Sequence, residues 1–180
     1  MKIKIGILAF SDGREYVHKQ LKSINQRFLK MTADVLRNTG EIEPVIGEEI
    51  IWTPQPAKAQ AKKILDQNID GTIFNFLTWS FPNFAIIAAQ NGKSPHLMLS
   101  NLNPQYPGLV AMLASAGALD QLGLFNERIW GDISKKKIKK KVLTFCRAAH
   151  AVNTLKGQTF GLFGGRSFGM NTATVDPLQW

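Results

Sequence analysis

The order of elements read along the chain predicts an α/β protein with a mainly parallel sheet, doubly wound into three layers. Two observations carry this. Five short apolar runs each give way to a segment of nine or more residues read as a helix, and strands that alternate with helices of about that length form βαβ units. The first run, over residues 2–10, also becomes continuously apolar after an alternating start, as a strand covered on both faces should be.

The first strand is read over residues 2–10, alternating at first and then wholly apolar. Ser11-Asp12-Gly13 ends it. A long helix follows over 14–38, with Val17, Leu21, Ile24, Phe28, Met31 and Val35 at helical spacing and Gly40 as its stop. A second strand covers 42–46. The second helix covers 54–68, with Pro54 in its first turn. A strand at 71–76, a Pro-opened helix at 82–90, a strand at 96–100 and an Ala-rich helix at 107–122 continue the alternation. A fifth strand is expected over 128–133 and a basic helix over 134–155. Residues 1–156 are thus expected to form one flavodoxin-like domain. Residues 157–180 are expected to be a linker and the start of a second, truncated α/β domain, because a strand-like run at 158–163 enters a glycine-rich turn with few residues left. The chain is accordingly expected to be the N-terminal piece of a longer protein.

The chain has 180 residues, 44% of them hydrophobic, and a mean hydropathy of -0.08. That excludes a disordered or fibrous chain. No apolar run reaches the 18 or so residues that span a bilayer, and residues 1–10 lack the pattern of a signal peptide. The expectation is a cytoplasmic protein. A single cysteine, Cys146, excludes an internal disulfide and a cysteine-based zinc site. The net charge is +9, but seven Lys and Arg without one acid lie in residues 134–147. The rest of the chain carries 15 basic against 13 acidic residues. Ile138, Val142, Phe145, Ala149 and Val152 form one helical face there, which places the lysines of 135–141 on the others. The run is read as a solvated helix face, with a phosphate- or partner-binding surface as the alternative. No nucleic-acid module accompanies it, so no nucleic-acid partner is expected.

Ligands of open α/β sheets bind beyond the carboxyl ends of the strands. The loops there, around Ser11–Glu15, 77–83, 100–108 and 130–132, are rich in amides, hydroxyls and aromatics. Such groups suit a polyol, since amides and an Arg bind several hydroxyls and an aromatic ring covers an apolar sugar face. Ordinary turn-forming loops are the plainer alternative. A phosphate cradle has no support: neither Walker A nor G-x-G-x-x-G is present, and Asp12 and Glu15 would repel phosphate after the first strand. Ser11, Asp12 and His18 are triad residue types without a nucleophile elbow. His18, His96 and His150 have no partner at metal-ligand spacing. Glu48 and Glu49 are read as a solvated loop, His150 as a surface or packing residue, and Cys146 as a buried inert thiol.

At these loops the sequence resembles a known family. Residues 10–18 (FSDGREYVH), 47–53 (GEEIIWT), 70–76 (DGTIFNF) with Trp79 and Phe81-Pro82, 100–108 (SNLNPQYPG), 117–123 (GALDQLG) and 128–133 (RIWGDI) together are similar to the N-terminal region of the L-fucose isomerase family. The wider L-arabinose isomerase group shares the fold. The resemblance runs in order over nearly the whole chain.

It implies an aldose–ketose isomerase several hundred residues long, with two N-terminal α/β domains and a C-terminal domain, assembled as a homo-oligomer, often a hexamer. It implies manganese (Mn2+) as the family's metal, a Lewis acid at the sugar's adjacent oxygens. The family's Glu, Asp and His ligands lie in its later domains, and nothing in residues 1–180 matches them. The fragment alone is therefore expected to be inactive and metal-free. The matched motifs also imply Arg14 and Trp79 as substrate contacts, in a pocket completed by another subunit. The residues agree: Arg14 opens the first helix, Trp79 follows the third strand, and the two strands should be neighbours. The alternative is that Arg14 pairs with Glu15 or Glu48 and Trp79 packs under its loop. A non-catalytic sugar-binding or assembly domain of a truncated relative is the second reading of function. A flavin or nucleotide binder is the third, disfavoured by the acids after the first strand. Which sugar is bound is not written in this region.

Overall fold

The structure is a computed structural model that describes residues 2–159 and Gly161. Five strands and five helices alternate strictly: β1 (Ile3–Ala9), α1 (Glu15–Arg37), β2 (Ile42–Ile46), α2 (Pro54–Leu65), β3 (Gly71–Phe76), α3 (Pro82–Asn91), β4 (His96–Ser100), α4 (Gly108–Gln121), β5 (Asn126–Trp130) and α5 (Lys136–Leu155). The sheet order is β2-β1-β3-β4-β5 and every pairing is parallel. This is the three-layer, flavodoxin-like arrangement.

Strand alternation sorts the core into two halves. Leu8, Phe10, Phe74, Phe76 and Met98 face α2, α3 and α4 through Ala57, Ala61, Ile64, Phe84, Ala85, Ala88, Ala111 and Met112. Ile5, Ile7, Ala9, Ile73, Leu97 and Leu99 face α1 and α5 through Leu29, Ala33, Leu36, Val142, Phe145 and Cys146. The small residues of α2, α3 and α4 let those helices lie close to the sheet. Phe10 anchors that side, stacked on Phe76 at 4.9 Å and edge-on to Phe74 at 5.2 Å. β3, central in the order, is buried at every residue.

Two expectations need correction. The fifth strand starts earlier than 128 and ends at Trp130, in register with β4 from His96↔Asn126 to Ser100↔Trp130. Gly131 adopts φ 123° and Asp132 Oδ1 accepts from Ser134 N at 2.9 Å, so residues 131–134 turn instead of extending. The second correction concerns α1. Its deepest residues include His18, Asn25 and Thr32, while Val17, Leu21 and Ile24 are only half-buried. The polar members sit at intervals of seven and so share one helix face. The strand expected over 158–163 and the glycine-rich turn after it lie outside the described residues, except for Gln158, Thr159 and Gly161.

Candidate functional site

β1 and β3 are hydrogen-bonded neighbours, so the loops after them leave the sheet side by side. The first loop, Ser11 to Arg14, runs against the second at Gly13. A Cβ there would lie 3.0 Å from both Phe81 Cδ2 and Phe84 Cζ. Glycine is what allows the backbone to rest on those rings. Phe81 in turn meets Trp79 edge-to-face at 5.9 Å and Phe84 at 6.1 Å, a geometry favoured by the ring quadrupoles. Trp79 is half-buried and Phe81 is 39% exposed. Arg14 and Trp79 thus stand on two loops joined through Gly13 and Phe81. The back of this junction is closed by Gly108, where a Cβ would sit 2.4 Å from the Leu77 carbonyl oxygen. Only glycine lets α4 begin against the end of β3.

Arg14 precedes α1 in extended conformation. Its partner is neither Glu15, which pairs with Lys19 at 2.7 Å, nor Glu48, which pairs with Lys63 at 2.5 Å. It is Asp12, which is 1% exposed. Asp12 Oδ1 accepts from the Arg14 backbone N–H and from Nε, both at 2.9 Å, and Oδ2 accepts from Nη2 at 2.6 Å. The Arg14 guanidinium holds the Asp12 carboxyl below the ordinary carboxylate range, against the opposing effect of burial. The Arg14 side chain itself is 68% exposed.

Under the loops lies a buried polar layer. Asn25 Nδ2 donates to Ser11 Oγ at 3.3 Å and Thr78 Oγ1 at 3.1 Å, which ties α1 to both loops. Seven residues further along α1, Thr32 Oγ1 accepts from Asn75 Nδ2 of β3 at 3.2 Å. Asn75 Oδ1 and Ser80 Oγ are buried without a protein partner. His18 lies on the same face of α1 and stacks on Trp52 at 4.8 Å, with the rings within 7° of parallel. Burial, with Lys22 adding to it, lowers its basicity, and Glu49 opposes that. Buried polar groups of this kind hold their surroundings in one arrangement when satisfied. The apolar periodicity of α1 hides this layer; the seven-residue spacing of His18, Asn25 and Thr32 is the signal that reveals it.

Other candidate chemistry is not assembled here. Ser11 is bonded to Asn25 and Asp12 to Arg14, so no Ser–His–Asp relay forms among the described residues. His96 opens β4 at the opposite, amino end of the sheet. Its burial lowers its pKa to about 4. His150, expected as a surface or packing residue, contacts Asp70 at that same end. Cys146 is buried, and desolvation raises its thiol to about 12, which makes it unreactive. Among the described residues no group of three or more His, Cys, Asp or Glu side chains is gathered to hold a metal ion. These residues do not fit a manganese site.

Comparison with known proteins gives the wider setting. The family model described as "L-fucose isomerase, first N-terminal domain" matches residues 2–157. The chain is 25% identical to the L-fucose isomerase of Vibrio vulnificus (strain YJ016) over 97% of its own length. It is 28% identical over 96% of its length to the L-fucose isomerases of Salmonella arizonae and of Escherichia coli (strain K12 / DH10B). It spans about a third of those relatives, 32% in each case.

Proposed function

The chain belongs to the L-fucose isomerase family, as its first N-terminal domain, and from that premise we propose that it is the substrate-pocket and assembly domain of an aldose–ketose sugar isomerase. The observation that supports this is the junction of the β1–α1 and β3–α3 loops, which carry Arg14 and Trp79 and meet where Gly13 rests on the Phe81 ring. Arg14 supplies rigid donors for sugar hydroxyls. Trp79 covers an apolar face of the sugar and keeps water from it. The described residues gather no metal ligand set, and the His150–Asp70 pair lies at the amino end of the sheet, away from these loops; in this reading the domain acts by binding and orienting, and proton transfer falls to the rest of the enzyme. The domain alone is inactive in this reading.

An assembly role is supported by α4. It carries Val110 and Leu113 on its outer face, 57% and 46% exposed, and Leu102 precedes it at 55%. No charged residue occurs in α4 before Asp120. A homo-oligomer, hexameric as in the family, is the proposed assembly. No described helix is long and apolar enough to cross a membrane. The proposed setting is the cytoplasm, in keeping with a lone, buried thiol.

The test is kinetic and uses the full-length polypeptide. Arg14→Ala and Trp79→Ala should each lower kcat/KM for the aldose at least about tenfold, or about 1.4 kcal/mol of transition-state binding, with folding and metal content intact. Near-wild-type kinetics in both variants would leave the domain an assembly role only.

A further inference from the structure

Arg14 is an exposed side chain on the β1–α1 loop, and its guanidinium lies side-on against a carboxylate. Asp12 imposes that orientation. The carboxylate is buried, so it is a fixed point, and it grips Arg14 three times: at the backbone N–H, at Nε and at Nη2. The first contact is an Asx turn that sets where the main chain enters α1. The other two are a side-on fork. A guanidinium carries five N–H donors. Two are used on Asp12. Both donors of Nη1 and the outer donor of Nη2 remain, and they project from a side chain that is 68% exposed.

The floor beneath is equally fixed. Ser11, the residue before Asp12, is bonded to Asn25 of α1, and Asn25 also holds Thr78 of the Trp79 loop. The carboxylate lies three residues before the first residue of α1, whose amino end favours a negative charge there. With Asp12 removed, Arg14 would lose its fork and could swing to Glu15 or into solvent.

We propose that Asp12 is a positioning residue of the isomerase: it holds the Arg14 guanidinium side-on so that the Nη1 edge is presented to the sugar. It touches no substrate and acts only through Arg14. The proposal rests on the reading of Arg14 as a substrate contact given above, and the test keeps the two apart.

The full-length polypeptide is made as wild type, Asp12→Asn, Arg14→Ala and the double variant, with thermal unfolding and native mass measured for each. Asp12→Asn should lower kcat/KM at least tenfold when Arg14 is present, and less than twofold when Arg14 is already Ala. Free guanidinium, well below unfolding concentrations, should restore part of the activity of Arg14→Ala and none of that of the double variant. Rescue needs the Asp12 carboxylate as a dock, which a purely structural role would not require. Equal losses from Asp12→Asn in both backgrounds, or equal rescue of both Ala variants, would overturn the positioning role while leaving Arg14 in the site. Wild-type kinetics for Arg14→Ala would remove both readings. If Asp12→Asn does not fold, Arg14→Lys decides: a Lys cannot form the fork, so its kcat/KM should fall as far as that of Arg14→Ala, and wild-type activity would overturn the proposal.

Discussion

His150 Nδ1 stands 3.0 Å from Asp70 Oδ2, a contact between the last turns of α5 and the residue before β3. Asp70 is otherwise held by the Lys4 backbone N–H at 3.1 Å and Asn153 Nδ2 at 3.0 Å. One carboxylate therefore fastens β1, β3 and α5 together at the amino end of the sheet, opposite the loops that carry Arg14 and Trp79. The approach is close: a Cβ on Gly71 would lie 3.1 Å from Ala149 Cβ.

Removing that carboxylate should loosen α5. Asp70→Ala leaves a backbone N–H and an amide short of a partner, at a cost of about 1–3 kcal/mol. For a chain of this size that is a fall in thermal midpoint of about 2–4 °C per kcal/mol. His150→Ala, which spares the bonds from the Lys4 N–H and the Asn153 amide, should cost less. Circular dichroism melts of both variants check this, and an unchanged midpoint for Asp70→Ala would show that the clasp contributes nothing.

The junction of α4 with the end of β3 gives a steric prediction. Gly108→Ala places a methyl 2.4 Å from the Leu77 carbonyl oxygen and 2.8 Å from that of Phe76. Both are backbone atoms, so no side chain can rotate away. The variant should lose about 1–3 kcal/mol, as overpacked sites do. Gly117→Ala is the control, since a Cβ there meets nothing within 4 Å. It should be neutral or stabilising by helix propensity. Thermal melts of the pair decide it, and equal midpoints would mean that α4 shifts freely.

Much of this architecture was legible because punctuation and periodicity agree. The bounds of β2, β3 and β4 coincide with apolar runs set between Gly, Pro and polar breaks. The start of β5 is hidden from an apolar pattern because its first residues, Asn126-Glu127-Arg128, are polar, as an edge strand permits, whereas Ile133 continues the apolar pattern but is buried in a turn. That the loops carrying Arg14 and Trp79 adjoin follows from the pairing of β1 with β3. Their chemistry does not. That Arg14 is held by Asp12 and not by Glu15 or Glu48 depends on a turn of two residues, below the resolution of any periodic pattern. The layer of Asn25, Thr32, Asn75 and Thr78 was missed because a search for apolar faces passes over polar residues buried on them.

His96 should make stability fall in mild acid. Burial lowers its pKa from 6.5 to about 4. The unfolded chain therefore binds more protons than the folded one between those values. Its contribution is fully present above pH 6.5 and is lost as pH falls to about 4. The slope is at most about 1.4 kcal/mol per pH unit from this one group. In His96→Gln that part of the slope should vanish. Urea unfolding at pH 7, 6 and 5 of both proteins measures it, and parallel curves would show that the folded protein accepts the proton on His96.

The amino end of α5 runs against helix electrostatics, which makes its lysines testable one by one. Lys136 and Lys137 occupy the first turn, no acid is there, and Lys135 at the N-cap makes no side-chain capping bond. A helix amino end carries partial positive charge, so these lysines oppose it. Lys136→Glu should raise stability by about 0.3–1 kcal/mol at low salt, less at high salt as screening grows. Lys140→Gln, a turn further on and exposed, should change it by less than about 0.5 kcal/mol. If the run is a solvated face, neither variant alters any interaction beyond weak, salt-sensitive binding of polyanions. A sequence-selective nucleic-acid complex of nanomolar affinity, lost in Lys136→Glu, would instead make the unfavourable charge arrangement the mark of a binding surface.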